Sequence, residues 1–299
     1  MMKKLIFYML PLLLLVSCKP GGGKNTGLAA PDSVLNQGTL EVSGQAMNDI
    51  IENISSPVEI AALIKHVGAP FSNKYLAATD NASGFTTASQ QALNLGIYGA
   101  DLGYLNMYNK TSNVLNYLSA IKKLSDEVQV GQFFDFSTLK RLASNNQNLD
   151  SLMYISVHSF NQMDKYLREN KRANLSALII TGAWIEGLYL ATQVAKDRDN
   201  QNLTERIGEQ KTILGYLMII IRNYSADPYF AKLILNMDEL NSKFADVKIT
   251  YETGEPQAVE KNGMLTIEQK DISVVHITKD QLNAIIAATE KVRNSLINL

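Results

Sequence analysis

The chain has 299 residues, 28 Lys and Arg against 29 Asp and Glu, and a hydrophobic fraction of 46%. That is enough apolar material for a sizeable core, so a disordered chain is excluded, and there is no basic surplus to read as a nucleic-acid surface. The single cysteine, Cys18, excludes an internal disulfide framework.

The chain opens with Met1-Met2-Lys3-Lys4 and an apolar run from Leu5 to Val16, broken by Pro11. A bilayer span needs roughly 20 apolar residues. A basic start, a short apolar core and a small residue at its end instead mark an export signal. The run closes on Leu15-Val16-Ser17-Cys18.

These four residues resemble the lipobox of bacterial lipoproteins. The resemblance implies cleavage between Ser17 and Cys18, a diacylglycerol on the Cys18 thiol, and a further palmitate-type chain on the new amino group. One acyl chain holds a protein only marginally, and stable anchoring takes at least two. In that family an aspartate after the cysteine tends to retain the protein at the inner membrane. Here Lys19 follows, which implies the outer membrane, and the absence of an acid in Lys19–Lys24 points to its periplasmic face. The run Ser56 to Phe71 followed by Asn94 to Tyr108 resembles uncharacterised lipoproteins of Bacteroidota, a likeness that implies no activity. The expected organisation is a signal peptide at 1–17, a lipidated flexible tether at 18–44, rich in Gly, Asn, Ser, Thr and Pro, and a helical domain at 45–299. No apolar run after the signal reads as long enough to cross a membrane.

A first helix is expected over about 45–53. Ser56-Pro57-x-Glu59 then combines a cap, a proline at the first helical position and a capping box, with a helix to about Val67. Phe71 to Gly84 reads as loop. Thr87-x-x-Gln90 is a second capping box, and the helix it opens, to about Asn109, is apolar almost all round, so it belongs inside. Ala92, Gly96, Gly99, Ala100 and Gly103 form a stripe of small residues. An internal glycine costs about 0.5–1 kcal/mol against alanine, and close approach of another helix is the usual reason for it. Asp101 and Tyr98, Tyr104 and Tyr108 lie on the same helix.

Further helices are expected at about 111–128, capped by Thr111 or Ser112, at 135–144, capped by Asp135 or Ser137, and at 148–170. The helix at 174–196 carries a second small stripe, Ala183, Gly187, Ala191 and Ala195, bordered by Trp184. Gly182, Glu186, Tyr189 and Gln193 are expected on the opposite flank. The segments around Asp101 and Glu186 look alike, which fits either an internal duplication or two central helices that pack closely. Helices at 203–224 and from the Asp227-Pro228 cap to about Phe244 follow. Then alternation sets in at Val247–Tyr251, Met264–Ile267 and Ile272–Ile277, with Asn262-Gly263 as a hairpin turn. Thr278-x-x-Gln281 starts the last helix, to about Ile297. The fold class is therefore all-α, a single-domain multi-helix array or bundle with a minor β-hairpin-like element near the C-terminus. Its short connections imply mostly antiparallel neighbours.

The three histidines lie far apart in sequence, with no metal-ligand spacing. Nucleophile-elbow, phosphate-loop and dinucleotide motifs are absent. No cofactor and no metal are expected. The one constellation is Asp101 and Glu186 with Tyr98, Tyr104, Tyr108, Trp184 and Tyr189. Two acids on central helices can act as acid and base, or each can be held by a hydrogen-bond partner in the core. The leading expectation is a non-enzymatic binding or scaffold lipoprotein whose partner is an envelope protein or a small ligand. The alternative is an envelope hydrolase acting on glycan or peptide through Asp101 and Glu186.

Overall fold

The computed structural model describes residues 57–143, 149–254, 257–261, 264–268 and 272–298. The lipobox, the tether, the helix expected over 45–53, the cap at Ser56 and the Asn262-Gly263 turn lie outside those residues.

Among the described residues the chain forms nine α-helices: α1 Pro57–His66, α2 Ala88–Met107, α3 Thr111–Glu127, α4 Phe136–Ala143, α5 Leu149–Glu169, α6 Ala173–Asp197, α7 Gln201–Arg222, α8 Pro228–Phe244 and α9 Lys279–Ile297. Local chemistry sets many of their ends. Both capping boxes form, Thr87 with Gln90 and Thr278 with Gln281. Asp227 accepts from Tyr229 N–H and Phe230 N–H ahead of Pro228, and Asp135 accepts from Thr138 N–H at the start of α4. One expected cap is corrected. Thr111 is already the first residue of α3, and Lys110 stands before it with no side-chain cap.

Three helices stop without glycine. Asn109, Gln129 and Lys171 take φ of 53°, 58° and 59° after α2, α3 and α5. At each stop the next residue's N–H reaches back to a carbonyl five residues earlier, as in Lys110 to Leu105, Val130 to Ser125 and Arg172 to Leu167. These are Schellman ends, and their hydrogen bonds hold ordinary residues in the left-handed region that glycine usually takes.

α6 lies at the centre, in contact with α1, α2, α5, α7 and α9. It is long and apolar enough to span a membrane, contrary to the sequence expectation, but 89% of that stretch is buried in the helical body. Its closest partner is α2. A side chain at Gly96 would overlap the Ile179 carbonyl, and one at Gly182 would overlap the Leu93 carbonyl. The contact is reciprocal, since each glycine meets the carbonyl three residues before the other. Five residues past Gly96 and four past Gly182, Asp101 and Glu186 meet again. Both steps run toward the C-terminus, so α2 and α6 pass in the same direction. The close approach expected from the small residues is present, with one correction. Gly182, assigned to the far flank, is the residue of α6 that faces α2, and it shares that face with Glu186.

The C-terminal excursion is built of nested antiparallel pairs. β1 Lys248–Glu252 pairs with β4 Ile272–His276, and β2 Gln257–Lys261 pairs with β3 Met264–Glu268. Lys261 sits opposite Met264, which leaves a two-residue connection. Val275 and Val247 pack over Gly208 of α7, where a side chain would collide with Val275.

Candidate functional site

The chain between α1 and α2 crosses the body as an extended strap with short 3-10 turns at Asn73–Tyr75 and Thr79–Ser83. Its fully buried residues are small, Ala69, Ala77 and Ala82, with Phe85 at its end, while Phe71, Tyr75 and Leu76 pack half-buried against the core. The alanines remove little apolar area from water, so polar contacts carry more of the attachment.

Six hydrogen bonds join body side chains to the strap backbone between Ala69 and Ala78. Tyr108 donates to Ala69 O (2.7 Å), Tyr117 to Ala77 O (2.5 Å) and Tyr98 to Ala78 O (2.9 Å). Tyr104 accepts from Ser72 N–H (3.1 Å), and Arg293 donates to Tyr75 O (3.2 Å). Asp101 Oδ2 accepts from Ala77 N–H (2.9 Å). Phe71 of the strap stacks on Tyr104, with Tyr108 beside both rings and Lys110 over the Phe71 face. Burial pushes the Tyr108 hydroxyl up to about 12, and burial raises Tyr98 and Tyr117 as well, so these phenols stay protonated donors at neutral pH.

Beneath the strap the two acids come together. Asp101 and Glu186 are both 0% exposed. Glu186 is gripped from both sides by Arg293, with Nε to Oε2 and Nη2 to Oε1 each 2.8 Å. The Arg293 guanidinium lies 4.3 Å from the centre of the Tyr189 ring. Burial works against the charge on Arg293, but the Glu186 carboxylate outweighs it and holds the guanidinium protonated. Asp101 lies beside Glu186, and its Oδ1 has no hydrogen-bond partner among the described residues. Burial first, and the Glu186 charge second, raise the Asp101 carboxyl well above the ordinary carboxylate range, while Arg293 and the Ala77 N–H pull the other way. Burial therefore favours the neutral form of Asp101, and Glu186 is the carboxylate that pairs with Arg293.

The sequence-derived set divides accordingly. Asp101, Glu186 and Tyr189 form the cluster with Arg293, and Tyr98, Tyr104 and Tyr108 fasten the strap. Trp184 belongs to neither, for its Nε1–H donates to Gln210 on α7 (2.9 Å). Arg293, Tyr75 and Tyr117 were not foreseen. Arg293 lies on the same stripe of α9 as Ile286 and Thr289, and that position among core residues is the one sequence signal for it.

Chemically, this arrangement suits holding better than turnover. Both carboxyls are fully buried and committed, Glu186 to Arg293 and Asp101 to the strap, whereas glycoside hydrolysis leaves room for a sugar and water between carboxyls roughly 5–9.5 Å apart. Such a pair can activate water only if water can reach it, and here Arg293 and the strap occupy surrounding positions. Away from the cluster, an open groove of about 420 Å³ lies at the base of the β-ribbon, lined by Lys248, His276, Gln281 and Asp246 among others. His66, His158 and His276 are exposed. Among the described residues no group of three His, Cys, Asp or Glu side chains is placed to hold a metal ion. No protein-family model, no curated protein and no solved structure matches the chain.

Proposed function

We propose that this is a lipid-anchored module of the bacterial outer membrane, facing the periplasm, that binds an envelope protein or a small ligand and does not catalyse. The observation that carries the non-catalytic part is the fate of the two acids. The one constellation suited to acid–base chemistry is enclosed, neutralised by Arg293 and engaged in holding the chain's own strap. The anchoring part rests on Leu15-Val16-Ser17-Cys18, with Lys19 supporting the outer membrane as destination.

Acyl labelling and mass spectrometry test the anchor. The mature N-terminal peptide is expected to begin at Cys18 with added acyl mass, and Cys18→Ser is expected to move the protein out of the membrane fraction. A bare thiol on the exported protein would end this reading. Crosslinking of the native protein in its own envelope, followed by capture, identifies what it binds. The hydrolase alternative makes an opposite demand on one residue: Asp101→Asn would abolish turnover of an envelope glycan or peptide, whereas a binding module keeps its captured partner.

A further inference from the structure

We infer that the buried Asp101 carboxyl is a latch for the strap, so that its ionisation lets residues 69–78 lift from the body while the helices stay folded. The inference goes beyond the proposed function and does not depend on it.

Three observations carry it. Asp101 is fully buried and holds the strap through Ala77 N–H with one oxygen, while its other oxygen has no hydrogen-bond partner among the described residues. With Asp101 protonated, the cluster of Asp101, Glu186 and Arg293 is neutral overall. With Asp101 ionised, two buried carboxylates lie beside one guanidinium whose Nε and Nη2 already engage Glu186, and the second negative charge has no counter-ion of its own. Finally, the strap's fully buried side chains up to Ala82 are alanines, and its larger apolar side chains, Phe71, Tyr75 and Leu76, are only half-buried against the core. The helices, by contrast, are joined by large buried side chains such as Trp184, Leu93 and Phe230. The cheapest way to hydrate Asp101 is therefore to lift the strap above it.

The groups that face Asp101 set the direction. α6 contributes Glu186 and Tyr189, α9 contributes Arg293, α3 contributes Tyr117, and α2 itself contributes Tyr98 and Tyr104. On the strap side Asp80 lies near Tyr98, and Tyr75 is turned outward to Asp197. Arg293 is the only cation in this set, and Glu186 already engages it through both oxygens. The Ala77 N–H also favours a charge on Asp101, but burial and the Glu186 charge outweigh it and Arg293 together, so opening is favoured as pH rises.

Hydrogen exchange of the full-length protein between pH 5 and 9, corrected for the intrinsic exchange rate, tests this. The strap amides, Ser72 and Ala77 above all, are expected to open up to tenfold more per pH unit while Asp101 titrates on opening. Amides in the middle of α2 and α6 are expected to keep their protection. Asp101→Asn, which is neutral at every pH and still offers an oxygen to Ala77 N–H, is expected to keep the strap closed with no pH dependence. Strap protection independent of pH in the unaltered protein would overturn the inference, as would strap and helices opening together. An Asp101→Asn protein that folds but retains the original pH dependence would overturn it too. If that variant does not fold, carbon-13 NMR of the Asp101 carboxyl in the unaltered protein decides: titration in the ordinary carboxylate range refutes the latch, and retention of the proton to higher pH in step with strap protection supports it.

Discussion

At the scale of the residue, Arg293 and Glu186 illustrate how a buried pair is asymmetric in its energetics. Their mutual attraction roughly offsets the cost of taking both out of water, but removing one leaves the other stranded. Glu186→Gln or Arg293→Met is expected to lower stability by about 3–5 kcal/mol, read from urea unfolding. Replacing both by apolar residues of similar volume is expected to recover much of that loss. Asp101 behaves differently. Its folded carboxyl keeps a proton that an unfolded chain would release in the ordinary carboxylate range. Its contribution is therefore full below that range and is lost as pH rises toward its raised folded value. The stability difference between the unaltered protein and Asp101→Asn is expected to change by up to about 1.4 kcal/mol per pH unit within that window, in favour of Asn as pH rises. Unfolding midpoints at pH 5 and pH 8 check the sign. Relative to Asp101→Asn, Asp101→Ala is expected to cost about 1–3 kcal/mol at either pH, because Ala77 N–H is left without an acceptor.

At the scale of the element, Gly96 and Gly182 oppose local preference. Alanine is the better helix former by about 0.5–1 kcal/mol, yet at either position its methyl would strike backbone carbonyl oxygen, which cannot rotate aside. Gly96→Ala and Gly182→Ala are each expected to destabilise by about 1–3 kcal/mol or more, seen as a lower thermal midpoint, with the packing loss exceeding the propensity gain. These elements also show what could be read from the chain alone. Capping boxes, the Asp227-Pro228 start and the alternating strands are signals confined to a few neighbouring residues, and they place their elements well. The small-residue stripes reveal that helices approach closely but not which face does so, hence the misplacement of Gly182. The partner of Glu186 lies 107 residues away, and no local pattern encodes such a meeting. The ends of α2, α3 and α5 were legible at about 109, 128 and 170, but the left-handed residues that make them, Asn109, Gln129 and Lys171, were not, because the usual glycine is missing. Trp184 was grouped with the acids for its chemistry, whereas its position on α6 turns it toward Gln210.

At the scale of the whole molecule, an all-α body carries a ribbon whose inner strands, β2 and β3, pair with each other. Replacing residues 253–271 with a short turn is expected to leave helical circular dichroism intact and the thermal midpoint within a few degrees. The strap and the central pair, not the ribbon, integrate the body. The parallel course of α2 and α6 also has a kinetic consequence. Neighbouring helices joined by a tight turn can associate as soon as they are made, but these two are separated by α3, α4 and α5. Synthesis proceeds from the N-terminus, so Gly96 emerges long before the carbonyl it must meet. The closest helix contact of this protein is therefore non-local, its refolding is expected to be slow for an all-helical chain, and the newly made N-terminal half waits with its narrowest surface bare.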